Sequence, residues 1–368
     1  MTSVAQNGML TLSDSPQYFD RPTTVRLIAS VIICLVPAAL WGVYAFGLPA
    51  LAVLLVAIAC AEAGEWLMRR IRSQNLPRDG HALLTGLLIG MVMPPAIPLW
   101  VPAAASLFAI LLVKWPLGGI GSTWIHPAAA GWAFAAISWP QLMNRFSLPD
   151  FFRGPIFSLK NSHDAFGAIS GWFANNPANG MGPSDILAAQ AFYRSPFDTT
   201  LTDLVNRFVL SPFGANLPGS YVDSLLGTSV GAIGEISAIL LMLGSVVLIA
   251  RGIVSWHAPA SFFGSFAVLT YIFGALPYGG GFFSGDVLFM CLRGSFLLVL
   301  FFVATDISTG PLSYKGRCLF GLGLGLVCFL IQFIGRGVDA ALVAVLVMNM
   351  LTGSIDRLCR TRRPEVRS

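Results

Sequence analysis

Residues 27–46 form a run of 20 with no charged side chain. A helix of about 20 mostly apolar residues crosses the roughly 30 Å hydrocarbon core of a bilayer. Further apolar runs follow at 51–68, 81–93, 99–114 and 126–143. After a long polar stretch the pattern resumes at 227–250, 259–274, 287–304, 318–334 and 338–351. Only 11% of the chain is charged, against roughly 25% in a soluble domain. A soluble fold of this composition would lack polar residues to cover its surface. The expected fold is an all-α integral membrane protein of about ten transmembrane helices. Several runs are short, and 81–93 stops at Pro94-Pro95. Short segments interrupted by Gly or Pro in membrane proteins line sites and do not face lipid.

The net charge of +5 does not point to nucleic acid, because the basic residues form no patch and sit between apolar runs. With the N-terminus inside, the cytoplasmic segments hold Arg21, Arg26, Arg69, Arg70, Arg72, Arg78, Lys114, Arg251, Lys315, Arg317, Arg357, Arg360, Arg362, Arg363 and Arg367. The short outer loops hold only Arg336. That bias places both termini in the cytoplasm. The first apolar run follows a polar, Pro-containing lead, unlike a cleavable signal peptide. The expected organisation is a cytoplasmic segment 1–26, a five-helix half 27–143, an outer loop 144–226, a second five-helix half 227–353 and a basic tail 354–368. Five is odd, so the halves would be inverted relative to one another, as in many transport folds. Gly118-Gly119-Ile120-Gly121 ahead of one run and Ile334-Gly335-Arg336-Gly337 ahead of another faintly echo such a repeat.

Ionisable groups within apolar runs are costly and mark ion routes, cofactor contacts or buried pairs. Here they are Glu62, Glu65, Glu235, Asp286, Arg293, Asp306 and Asp339. Glu62 and Glu65 are placed for i,i+4 pairing with Arg69 and its neighbour. Glu235 stands eight residues into its run with no cation nearby in sequence, and reads as functional. Asp286 and Arg293 are seven apart, on one face of a continuous helix. Asp306 ends a run on the cytoplasmic side and Asp339 opens one on the outer side. The ion-pathway candidates are therefore Glu235, Asp306 and Asp339. His81, His126 and His257 sit at cytoplasmic run ends and His163 in the outer loop, so facing histidines for haem are not offered. The six cysteines are dispersed without a CxxC pair, which excludes the usual zinc and iron–sulfur patterns and leaves packing roles. No Walker loop, Rossmann fingerprint or nucleophile elbow occurs, and no catalytic residue is assigned.

Five stretches resemble one family in order along the chain. They are Asp79-Gly80-His81-Ala82-Leu83-Leu84-Thr85-Gly86-Leu87-Leu88 with Met93-Pro94-Pro95, Pro98 and Trp100; Lys114 and Gly118-Gly119-Ile120-Gly121 with His126-Pro127-Ala128; Gly231-Ala232-Ile233-Gly234-Glu235-Ile236-Ser237; Ala304-Thr305-Asp306-Ile307-Ser308-Thr309-Gly310-Pro311; and 335–339 through Met348-Asn349 to Ile355-Asp356. They resemble the D subunits of the Rnf complex and the B subunits of Na+-translocating NADH:quinone reductase. The chain length is more similar to the D subunits.

The resemblance implies a flavin-carrying subunit of a redox-driven ion pump in the bacterial inner membrane. It would relay electrons between ferredoxin and NAD+ and couple them to Na+ or H+ movement. Its partners would be the other Rnf subunits, including the iron–sulfur and NADH-reactive ones. The family carries FMN on a threonine, in a Ser/Thr-Gly-Ala-Thr segment of the outer loop. The matching residues are Thr199-Thr200-Leu201-Thr202, with Thr-Leu where the family has Gly-Ala. Thr202 is the implied acceptor for covalent FMN, with Thr200 and Thr199 as alternates. Phe192, Tyr193 and Phe197 are near enough in sequence to pack on a ring. A second, noncovalent flavin (riboflavin or FMN) is also implied, with no visible residue pattern. Rival readings are the quinone-reductase B subunit, a redox-silent channel or transporter, and a structural scaffold.

Overall fold

The computed structural model describes residues 23–72, 80–118, 124–144, 231–274, 287–292, 294–306, 308–334 and 339–359, together with 200, 203–205, 207, 225–227, 276, 282, 283 and 285. The regular elements among the described residues are all helical. Among the described residues, four helices are long and apolar enough to cross a membrane: α1 (Thr24–Phe46), α2 (Leu48–Arg72), α11 (Tyr314–Ile334) and α12 (Ala340–Leu358). Between them lie α3 (His81–Val92), α4 (Trp100–Phe108) running into a π-helical turn (Ala109–Lys114), α5 (Pro127–Ser138) and the short α6 (Pro140–Met143). The second half adds α7 (Ala238–Ala250), α8 (His257–Phe273), α9 (Val287–Cys291), and α10 (Phe296–Leu298) with a π-helical extension (Val299–Val303).

Local sequence explains the helix ends. Gly47 takes φ 73 and closes α1, a conformation that suits glycine. Pro127 occupies the first turn of α5, where its missing N–H costs nothing. Met93-Pro94-Pro95 stops α3, because proline disfavours helical backbone in the residue before it. Two expected runs of the second half are broken. Residues 227–250 do not form one helix, since α7 starts only at Ala238 and 231–237 is a turn. The run 287–304 breaks after Cys291, and Gly294 takes φ 57 before the chain turns helical again at Phe296. Asp286 and Arg293 lie outside the described residues, and the break removes the continuous helix that was to put them on one face.

Small residues let the helices approach closely. A Cβ at Gly321 or Gly325 of α11 would run into the Ala258 or Phe262 carbonyl of α8, and α8 and α11 form the most extensive helix pair. A Cβ at Gly86 of α3 would meet the backbone of α2, and one at Gly131 of α5 would meet that of α4. Across the two halves α1 packs on α7, with Gly244 against the Cys34 carbonyl, and α5 packs on α12. One apolar core runs through both halves, from Leu35 and Met91 to Phe262, Phe320 and Val345. Outward faces stay apolar, as at Ile33, Leu40, Leu243 and Val246, which suits a lipid environment.

Candidate functional site

α3 has 12 residues and α7 has 13, so at about 1.5 Å per residue neither reaches across a roughly 30 Å core. Where α3 stops, the turn 231–237 docks on it. Ile233 N–H donates to the Met93 carbonyl (3.3 Å) and Gly234 N–H to the Met91 carbonyl (2.7 Å). Irregular backbone at this depth is tolerated only where protein satisfies its polar groups, and these bonds do so. Glycine makes the approach possible, because a Cβ on Gly234 would overlap Met91 and one on Gly42 of α1 the Ile233 carbonyl. Thus Glu235 does not stand inside a helix as its sequence position suggests. It sits in the turn ahead of α7, with Ala232 N–H donating to its Oε2 at 3.2 Å.

That turn brings two expected candidates together. The Glu235 carboxyl lies within hydrogen-bonding reach of the Asp339 carboxyl, which opens α12. Asp339 also faces Ser295, at the break before α10, and the first turn of α12 at Ala341. Both carboxyls are half-buried. A hydrogen bond between two carboxyl groups takes one proton, and two ionised carboxylates at that spacing take a cation.

The third candidate, Asp306, is placed elsewhere. It follows the π-helical segment, accepts a hydrogen bond from the Ser308 hydroxyl, and has Oδ2 3.7 Å from His126 Nε2. His126 precedes α5 and is buried, its Nδ1 without a hydrogen-bond partner. His81, the first residue of α3, is buried near it, with Nδ1 3.3 Å from Thr85 Oγ1. Sequence reasoning did not join these histidines to Asp306. The available signal was that all three residues fall at run ends assigned to one membrane face. Asp339 opens α12 and Asp356 near its end accepts from Leu312 N–H at 3.2 Å, six residues past Asp306. The two carboxyl sites therefore lie towards opposite ends of a 19-residue helix about 28 Å long.

Glu65 is a structural group. Arg69 pairs with it at 3.2 Å, as the i,i+4 spacing indicated. Its other oxygen accepts from Lys114 Nζ and Trp115 Nε1, both at 3.0 Å, a connection 49 and 50 residues away that local spacing does not reveal. Glu62 is half-buried on the same helix. Of the candidate flavin acceptors, Thr200 is exposed, while Thr202 and Thr199 lie outside the described residues, with Phe192, Tyr193 and Phe197. His257 opens α8, and His163 lies outside the described residues.

A model of the NQR2, RnfD, RnfE family matches residues 11–364. The chain is 32% identical over 353 residues to the D subunit of the proton-translocating ferredoxin:NAD(+) oxidoreductase complex of Clostridium ljungdahlii, covering 96% of this chain and 95% of that one. It is 33% identical over 349 residues to the D subunit of the ion-translocating oxidoreductase complex of Stutzerimonas stutzeri, covering 93% and 92%. It is 27% identical over 356 residues to the D subunit of the Na(+)-translocating ferredoxin:NAD(+) oxidoreductase complex of Acetobacterium woodii, covering 96% and 94%. On this full-length agreement, the chain is a multi-pass membrane protein that belongs to the NQR2, RnfD, RnfE family.

Proposed function

We propose that this chain is the D subunit of an ion-translocating ferredoxin:NAD+ oxidoreductase, an electron-relaying and ion-conducting membrane part of a larger enzyme. The observation that carries the ion-conducting role is the Glu235–Asp339 carboxyl pair, set among broken helices. Such a pair accepts and releases one proton or small cation at low structural cost. The Asp306–His126 pair, towards the other end of α12, is a second polar station on the route. The relatives named above move either protons or Na+, and a carboxyl pair is chemically suited to both.

In this proposal the chain lies in the bacterial inner membrane with both termini cytoplasmic, its ten spans forming two inverted five-helix halves. Packing supports the two halves. The second and fourth spans pair in each (α2 with α4, α8 with α11), and so do the fourth and fifth (α4 with α5, α11 with α12). First packs on first and last on last across the halves. The other subunits of the complex are its partners, and ferredoxin and NAD+ react on those subunits.

FMN is proposed on Thr202, with Thr200 and Thr199 as alternates, and a second noncovalent flavin among the helices. The flavin supplies the electron transfer and the protein supplies position. Of the three threonines, Thr200 is the described one, and the residue is exposed. The complex is to be purified from its native membranes, so that the attaching enzyme is present, and run on a denaturing gel. The expected result is a fluorescent band whose flavin maps to Thr202, with fluorescence lost in Thr202→Val. A dark band, beside a labelled sister flavoprotein from the same cells, would remove the covalent assignment.

A further inference from the structure

Away from the carboxyl pair, a cavity of about 490 Å³ opens where the loop after α7, the N-terminus of α8, the end of the π-helical segment and the N-terminus of α11 meet. Its size falls within the range of small-ligand sites. Trp256 stacks on His257 with ring centroids 4.4 Å apart, and His257 faces Tyr314 at 5.0 Å. Arg317 lies over Tyr314 at 5.8 Å, and its Nε donates to the Pro311 carbonyl at 3.1 Å. That bond fixes the guanidinium plane and leaves the terminal Nη groups without a protein acceptor among the described residues. His257 Nδ1 is likewise without a hydrogen-bond partner.

The charges on the wall point to an anion. Asp306 is the one carboxylate among the lining residues, and it already has Ser308 and His126 as partners. Arg317 has no carboxylate partner among the described residues. Two helices of 17 and 21 residues begin at the cavity, each adding partial positive charge. Exposed Arg251 and Lys315 adjoin the lining residues Gly252 and Tyr314 in sequence. The position adds a second requirement. The cavity lies at helix ends, the level of lipid headgroups, and its rim carries Trp256, Leu312 and Tyr314, all more than half exposed. Trp and Tyr settle at that depth because one end is apolar and the other wet.

We infer that this cavity binds the phosphate of an anionic phospholipid headgroup, held by Arg317 and His257, with the acyl chains leaving over Trp256 and Leu312. A guanidinium fork matches phosphate oxygens, and basic pockets between transmembrane helices take such headgroups. An aromatic belt facing open lipid would explain the exposed Trp and Tyr. It would not explain a concave pocket walled by a fixed guanidinium and a histidine ring.

The test uses the full-length chain, stripped of lipid in detergent and titrated separately with phosphatidylglycerol and with inorganic phosphate. Native mass spectrometry counts bound lipid, and thermal melting reports saturation by either probe. The expected result is one tightly held phosphatidylglycerol, weakened about tenfold or more by Arg317→Ala and less by His257→Phe. Arg26→Ala, which changes an exposed basic residue of α1, should leave it unchanged. Arg317→Lys keeps the charge but loses the fork, and should weaken binding measurably even if the alanine variant does not fold. Saturation by inorganic phosphate through Arg317, with no such response to the lipid, would overturn the lipid assignment and leave a soluble phosphate ester as the occupant. Equal lipid retention in wild type and both Arg317 variants, or equal loss in Arg26→Ala, would overturn the site.

Discussion

Glu65→Ala is expected to destabilise the folded protein by about 3–5 kcal/mol, because it removes one partner of a buried ion pair. Lys114 is 3% exposed, and its ammonium lies 3.0 Å from the Glu65 carboxylate. The substitution also strands the Trp115 indole N–H and removes the Arg69 partner. These contacts tie α2 to the π-helical turn Ala109–Lys114, so the loss should also loosen the end of α4. Thermal unfolding of the detergent-purified chain measures it. Glu65→Gln, which preserves hydrogen-bonding capacity, should fall between wild type and alanine. The double substitution Glu65→Leu with Lys114→Met should be more stable than Glu65→Ala, since it removes both charges at once. A Glu65→Ala protein melting with wild type would show that the ion pair carries no stability.

Gly42→Ala is the second large effect, from a single methyl group. In an exposed helix the change from glycine to alanine is stabilising by up to about 1 kcal/mol. On α1 the new Cβ would overlap the Ile233 carbonyl oxygen, a backbone atom that cannot rotate away. The turn 231–237 would have to lift off α1, which strains its two bonds to Met91 and Met93 and moves Glu235 away from Asp339. A cost of about 3 kcal/mol is expected, at the upper end for overpacking. Gly353→Ala on α12 is the matched control, because nothing lies within 4 Å of its Cβ position. It should be neutral or slightly stabilising. If the two variants unfold at the same temperature, α1 does not hold the turn as closely as described.

The apolar runs made the helices and their approximate ends legible in the sequence, because a charge-free run such as 27–46 has few other folds. The two broken runs were not legible. Residues 227–236 open an apolar run, and hydropathy measures the environment, not the backbone. A turn buried in protein and a helix facing lipid therefore look alike. The short run that stops at Pro94 was legible as an interior segment, and α3 is almost wholly buried, yet nothing local showed that it meets 231–237. Glu235 and Asp339 were each legible as costly charges, but their contact spans over 100 positions and is set by packing. For the same reason the pairing of Glu65 with Arg69 was visible and that with Lys114 was not. His126 gave no hint of Asp306, because a helix-end histidine has many ordinary roles.

If the carboxyl pair is an ion station in a redox-driven pump, neutralising either carboxyl stops ion movement. The direct measurement is ion uptake by proteoliposomes of the purified complex, driven by reduced ferredoxin and NAD+, for wild type, Glu235→Gln and Asp339→Asn. Assembly and flavin content are checked on the same samples. The predicted result is that uptake falls about tenfold or more in each variant, as expected when an essential intramembrane carboxyl is neutralised, while assembly and flavin content stay intact. Uptake at the wild-type rate in both variants would contradict this role and place the ion route elsewhere in the complex.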